Sequence, residues 1–105
     1  MKEIIWQGSS YEDLRSFPDN ARREAGFQLD KVQRGLEPDD WKPMSTVGPG
    51  VREIRISENS GIFRVIYVVN IGASVYVLHA FRKKTQKTSQ RDIRLAKARF
   101  NAIER

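Results

Sequence analysis

The most constraining stretch of the chain is IFRVIYVV, residues 62–69, in which seven of the eight residues are apolar. A run this apolar and this rich in β-branched and aromatic residues is typical of a central strand that is covered on both faces. The runs on either side of it, VREIRIS (51–57) and VYVLHAF (75–81), also have strand composition. Short turn-forming stretches separate the three runs, so the sequence predicts an antiparallel meander.

Helical patterns lie before and after this meander. A short strand, KEIIWQ (2–7), leads into a short helix that must end before Pro18. A second helix then shows apolar residues at steps of three and four, and Gly35 is predicted to end it. Its predicted buried stripe consists of Ala21, Ala25, Leu29, Val32 and Leu36. Residues 37–50, rich in proline and glycine, are predicted to form a loop.

The last helix is predicted to begin after Ser89, because Asp92 stands at capping-box spacing from it. The elements therefore follow in the order β-α-α-β-β-β-α, which is typical of an α+β fold with a mainly antiparallel sheet. With 105 residues, the chain is long enough for one modest core. We expect a single domain over residues 1–105.

Positive charge is concentrated in the second half of the chain. Residues 1–50 contain seven Lys/Arg and nine Asp/Glu, for a net charge of −2, whereas residues 51–105 contain twelve and four, for +8. This asymmetry indicates a polyanionic partner, with nucleic acid as the first candidate. The alternative is a charge that serves solubility.

The residue inventory excludes several classes of chemistry. The chain has no cysteine and one histidine, so it can form neither a disulfide nor a two-histidine ribonuclease pair. His79 is predicted to be a hydrogen-bonded core residue rather than a catalytic one. No acidic or histidine cluster has metal-ligand spacing, so we expect no metal and no cofactor. Without a membrane-spanning run or a signal-peptide pattern, we expect a cytoplasmic protein.

Arg64 is the one residue that interrupts the apolar run, and a guanidinium at the centre of a sheet is costly unless it meets an anion. Two interpretations remain open: a salt bridge to Glu53 or Glu58 across the hairpin, or a clamp for phosphate oxygens. If the strand register brings Arg55 beside Arg64, further cations could join them from the end of the third strand. These are Arg82, Lys83, Lys84 and Lys87.

Such a cluster of cations suits the cleavage of RNA in particular. RNA carries its own nucleophile, the 2′-hydroxyl, so an enzyme need only align it with the phosphorus, neutralise the developing charge and move protons. A lysine whose pKa is lowered by neighbouring cations can serve as the acid or base.

Three segments resemble the RelE/HigB superfamily of toxins from bacterial type II toxin–antitoxin systems, and most closely its HigB-like, phage-related branch. They are GPGVREIRI, SGIFRVIYV and VYVLHAFRKKTQKTSQRDIRLAKARF, within residues 48–101. The resemblance implies a RelE-like fold: an N-terminal helical hairpin packed on a twisted, mainly antiparallel four-stranded sheet, with a C-terminal helix. It also implies a metal-independent endoribonuclease that cleaves mRNA in the ribosomal A site and is neutralised by a helix-turn-helix antitoxin.

By the same resemblance, Arg55 matches the end of the Glu-Leu-Arg element and Arg64 the arginine of the Gly-Ile-Phe/Tyr-Arg element. The candidate catalytic residues are Arg55, Arg64, Lys84 and Lys87. The candidate RNA-binding residues are Arg82, Lys83, Arg91 and Arg94. No acid/base histidine like that of some HigB proteins is assigned. Two alternatives remain: a ParE-like DNA gyrase poison on the same fold, and a non-catalytic RNA-binding module.

Overall fold

A computed structural model describes residues 1–84 and 86–104 and has an α+β fold. Its strands are β1 (Glu3–Trp6), β2 (Trp41–Pro43), β3 (Val51–Glu58), β4 (Gly61–Val68) and β5 (Ser74–Lys83). Its helices are α1 (Ser10–Arg15), α2 (Asp19–Gln33) and α3 (Gln90–Asn101). Within these described ranges, no helix is long and apolar enough to cross a membrane.

The described strands form one sheet in the order β1-β5-β4-β3-β2, with β4 at the centre as predicted. The expectation of a mainly antiparallel four-stranded sheet differs from the structure in two respects. The sheet has five strands, because β2 lies within residues 37–50, which were predicted to be a loop. It is also mixed, because β1 pairs in parallel with β5. The proline in β2 is tolerated because β2 is an edge strand.

Both faces of the sheet are covered, which explains the unbroken apolar character of β4. Phe63, Val65 and Tyr67 lie in a buried cluster with residues of α1 and α2. Ile66 and Val68 point to the other face and lie in a second buried cluster with residues of α3. Alternate side chains of one strand therefore belong to two cores.

The buried stripe of α2 contains four of the five predicted residues. Ala21, Ala25, Leu29 and Val32 are buried, but Leu36 is 56% exposed, so that part of the prediction is wrong. The helix ends at Gln33, and Gly35 adopts a left-handed conformation with φ of 82°. This turn directs the chain away from the helix axis, and Leu36 leaves the buried face.

The first turn of α3 is fixed by the predicted cap and by a contact with β5. The Ser89 hydroxyl accepts a hydrogen bond from the Asp92 amide at 3.1 Å and donates one to the Asp92 carboxylate at 2.7 Å. The same carboxylate lies 2.7 Å from Nε2 of His79, which is 5% exposed. The prediction of a buried, hydrogen-bonded histidine is confirmed, and the pair joins α3 to the sheet.

We predict that Leu29→Ala lowers the free energy of unfolding by about 2–5 kcal/mol, because Leu29 is 2% exposed and its removal leaves a cavity. Leu36→Ala is the matched control and should change it by less than about 0.5 kcal/mol. Urea unfolding measures both. Equal losses in the two variants would contradict the described end of α2.

Candidate functional site

The register of the three central strands brings three cations to one face of the sheet. Arg55 of β3 lies directly opposite Arg64 of β4. Lys83 of β5 lies opposite Ile62, which is two residues from Arg64 and on the same face. Because directly paired residues point to the same side of a sheet, all three side chains project from the face on which α3 packs.

These side chains line a pocket of about 400 Å³, here called the cationic pocket, together with Ile62 and Gln86. Lys42 of β2 projects from the same face, since it lies opposite Glu53 in the register, and its ammonium is 3.8 Å from the Glu53 carboxylate. Arg55 is 3.8 Å from Asp40 and keeps 43% of its side chain exposed. Among the described residues, this site therefore contains more positive than negative side chains, and the excess positive charge favours an anion. The cations are Arg55, Arg64, Lys83 and Lys42, and the carboxylates are Glu53 and Asp40.

Arg64 is held in a buried ion pair at the base of this pocket. Its Nη1 donates to Glu53 Oε1 at 2.9 Å, and the Thr88 hydroxyl donates to Glu53 Oε2 at 2.7 Å. Glu53 has no exposed surface and Arg64 is 4% exposed. Burial lowers the pKa of Arg64, and the Glu53 charge opposes this. Of the two interpretations of Arg64, the structure therefore shows the salt bridge to Glu53, not an open phosphate clamp.

Lys83, named above among the candidate RNA-binding residues, lies in the cationic pocket and has a lowered pKa. Burial lowers the pKa of Lys83, and the positive charges of Arg64, Lys42 and Arg55 lower it further, while Glu53 opposes the change. β5 continues to Lys83 rather than ending at Phe81, so strand alternation turns Lys83 towards the pocket. The sequence pattern predicted that this strand ends at Phe81, two residues too early, so the orientation of Lys83 was not predicted.

The other predicted cations do not join the cationic pocket. Arg82 projects from the opposite face of β5, where its guanidinium lies 5.7 Å from the centre of the Phe63 ring and donates to the Ser60 carbonyl. Lys84, Lys87 and Arg91 line a second cavity of about 660 Å³, here called the edge cleft. Arg94 is exposed on α3 and lines neither cavity. The expected single cluster is therefore divided in two, and Lys83 lines both cavities.

The cationic pocket combines the two properties that a reaction at a phosphodiester requires. Arginines and a lysine offer hydrogen bonds and positive charge to phosphate oxygens, and an amine with a lowered pKa can accept a proton. Within residues 1–84 and 86–104, no group of three histidine or acidic side chains lies close enough to hold a metal ion.

Comparison with known protein families gives a match over most of the chain. A family model described as phage derived protein Gp49-like (DUF891) matches residues 12–101. This range includes α2, β2–β5 and α3 in full, and so every residue that lines the cationic pocket. No match to a curated protein was found for the chain.

We predict that Glu53→Ala lowers the free energy of unfolding by about 3–5 kcal/mol, since it leaves the Arg64 guanidinium buried without its counter-charge. The double variant Glu53→Leu/Arg64→Met removes both charges and keeps apolar volume, so it should be more stable than Glu53→Ala. Urea unfolding measures both variants. A double variant less stable than Glu53→Ala would contradict a true ion pair at this position.

Proposed function

Because the chain belongs to the phage-derived Gp49-like family, which in general comprises RelE/HigB-like toxins of toxin–antitoxin systems, we propose that it is a toxin that cleaves mRNA. The observation that carries this proposal is the convergence of Arg55, Arg64 and Lys83 from three adjacent strands on one pocket. The proposed neutralising partner is a helix-turn-helix antitoxin, and the proposed place of action is the cytoplasm.

The two arginines have different roles in this proposal. Arg55 is partly exposed and 3.8 Å from Asp40, so it is able to turn towards the substrate and offer a planar pair of donors to two phosphate oxygens. Arg64 is fixed by Glu53 and supplies positive charge from below. A charge held in place before the substrate arrives stabilises the developing negative charge without reorganisation in the transition state.

Lys83 is the proposed proton acceptor. The ribose 2′-oxygen attacks the adjacent phosphorus, its proton passes to the Lys83 amine, and the bond from phosphorus to the 5′-oxygen breaks. The 5′-oxygen takes a proton from solvent, and the products are a 2′,3′-cyclic phosphate and a 5′-hydroxyl. The lowered pKa of Lys83 increases the fraction of neutral amine that is available for this step near neutral pH.

The proposed substrate is mRNA held in the ribosomal A site. The described lining of the cationic pocket contains cations, one isoleucine and one amide, and no aromatic side chain on which a base could stack. Such a lining binds a ribose-phosphate unit but does not orient the flanking bases. A decoding ribosome, which already holds the mRNA strand in position, supplies this orientation.

We predict that Lys83→Gln and Arg55→Gln each lower the rate of cleavage of translated mRNA, by about 100-fold or more for Lys83→Gln. Both side chains are partly exposed, so the fold should survive. Arg23→Gln on α2 removes an exposed arginine remote from the pocket and is the control. Primer extension on mRNA in a translating extract measures cleavage. Full activity of Lys83→Gln, or accumulation of gyrase-cleaved DNA with intact mRNA, would refute the proposal.

We further predict a pH dependence with a defined sign. Cleavage should increase with pH as the Lys83 amine loses its proton, with a midpoint below the ordinary lysine value of 10.5. Arg55→Gln removes one of the charges that lower this pKa, so its midpoint should move to higher pH. Single-turnover rates at a series of pH values measure both midpoints. An unchanged midpoint in Arg55→Gln would show that another group controls the proton transfer.

A further inference from the structure

Lys83 presents an accessible amine in the cationic pocket. The pocket has a volume of about 400 Å³, and Lys83 is partly exposed. Among residues 1–84 and 86–104, no salt bridge includes Lys83. Because a neutral primary amine attacks carbonyl carbons as well as accepting protons, this lysine is a candidate for covalent modification.

The surroundings of Lys83 favour both the neutral amine and the approach of an anion. Burial and the charges of Arg64, Lys42 and Arg55 lower the pKa of Lys83, and Glu53 opposes this change. The same excess of positive charge attracts anionic reagents and raises their local concentration. A reagent that is anionic at one end and has a reactive carbonyl carbon at the other therefore meets both a binding site and a nucleophile.

The strand register places the amine within reach of an anion held by the arginines. Arg55 lies directly opposite Arg64, and Arg64 lies directly opposite Phe81 of β5. Lys83 is therefore the diagonal neighbour of Arg64, at a spacing of about 7–8 Å that long side chains are able to bridge. In an acyl phosphate, a single oxygen separates the phosphorus from the acyl carbon, so a phosphoryl group bound here brings the acyl carbon towards Lys83.

We propose that Lys83 is a site of acylation by small acyl phosphates, which the cationic pocket binds through their phosphoryl group. The Lys83 nitrogen attacks the acyl carbon, and the bond from this carbon to the bridging oxygen breaks. The electron pair of that bond leaves with the phosphate, which also takes one proton from the nitrogen. The products are Nε-acyl-lysine and inorganic phosphate, and no atom changes its oxidation state.

Acylation would remove both properties of Lys83 that the proposed reaction uses. An amide nitrogen carries no positive charge and does not accept a proton near neutral pH. The acylated toxin would therefore lack its proton acceptor, and its activity would depend on the supply of activated carboxylic acids. This inhibition rests on the proposed function, whereas the acylation itself does not.

The first test treats the full chain with acetyl phosphate and measures acetylation at each lysine by peptide mass spectrometry. We expect Lys83 to react about tenfold or more faster than Lys84, an exposed lysine that lines the edge cleft and not the cationic pocket. The uncharged reagent p-nitrophenyl acetate reports amine reactivity alone and should show a smaller preference for Lys83. Equal rates at the two lysines, or the same preference with both reagents, would overturn the proposal.

A second test addresses recognition of the phosphoryl group. Arg55→Gln should slow acetylation of Lys83 by acetyl phosphate by about tenfold, because it removes a charged hydrogen-bond donor, whereas Arg23→Gln on α2 should leave it unchanged. Inorganic phosphate should compete at Lys83 and have no effect at Lys84. An equal loss for Arg55→Gln with p-nitrophenyl acetate, or no competition by phosphate, would overturn phosphoryl binding.

The effect on activity is measured separately. Lys83→Nε-acetyllysine, introduced during translation, should cleave translated mRNA about 100-fold more slowly than the unmodified chain. Full activity of this variant would overturn the inhibition. Because acetylation is measured without RNA, a chain that is acetylated at Lys83 but cleaves no mRNA before modification would refute only the proposed function.

Discussion

The buried ion pair between Glu53 and Arg64 is the interaction on which the arrangement of the site depends. Two charges at the centre of a sheet each lose several kcal/mol of hydration, and the geometry must compensate for that loss. Here a 2.9 Å contact between the charges and a 2.7 Å hydrogen bond from Thr88 to the second carboxylate oxygen offset part of that loss, while the buried Nε of Arg64 has no hydrogen-bond partner among the described residues. Because Thr88 directly precedes the Ser89 cap of α3, the pair joins β3 and β4 to the start of that helix.

This rigidity has a consequence for reactivity. Arg64, ion-paired with Glu53, places positive charge beside Lys83, and burial together with this charge lowers the pKa of the Lys83 amine. Glu53 weakens this effect but does not cancel it, since Lys42 and Arg55 act in the same direction as Arg64. In the proposed reaction, the pKa of Lys83, lowered by burial and by the neighbouring cations together, suits this lysine to act as the proton acceptor.

Features set by local sequence were predicted well. The three central strands, most of the α2 stripe and the Ser89–Asp92 cap each depend on residues a few positions apart. β2 was not predicted, because three residues including a proline leave no alternating pattern. The parallel pairing of β1 with β5 depends on contacts about 70 residues apart, which periodicity does not encode.

The geometry of the candidate site was predicted only in part, because it too depends on tertiary contacts. The pairing of Arg55 with Arg64 followed once the register was known, but the register itself is a tertiary property. β5 continues two residues beyond its predicted end at Phe81, and the alternation of its side chains places Lys83 in the cationic pocket and Arg82 on the opposite face. A single position therefore separates Lys83, the proton acceptor of the proposed reaction, from Lys84, one of the two lysines named among the candidate catalytic residues in the sequence analysis.

The most direct test of the central claim, that the RNA supplies the nucleophile, is cleavage of a synthetic mRNA with one 2′-deoxynucleotide on the 5′ side of the scissile phosphate. In a reconstituted translation system, the account predicts that this mRNA stays intact while the all-ribose control is cut to give a 2′,3′-cyclic phosphate. Cleavage of the deoxy-substituted mRNA at the same position would contradict it.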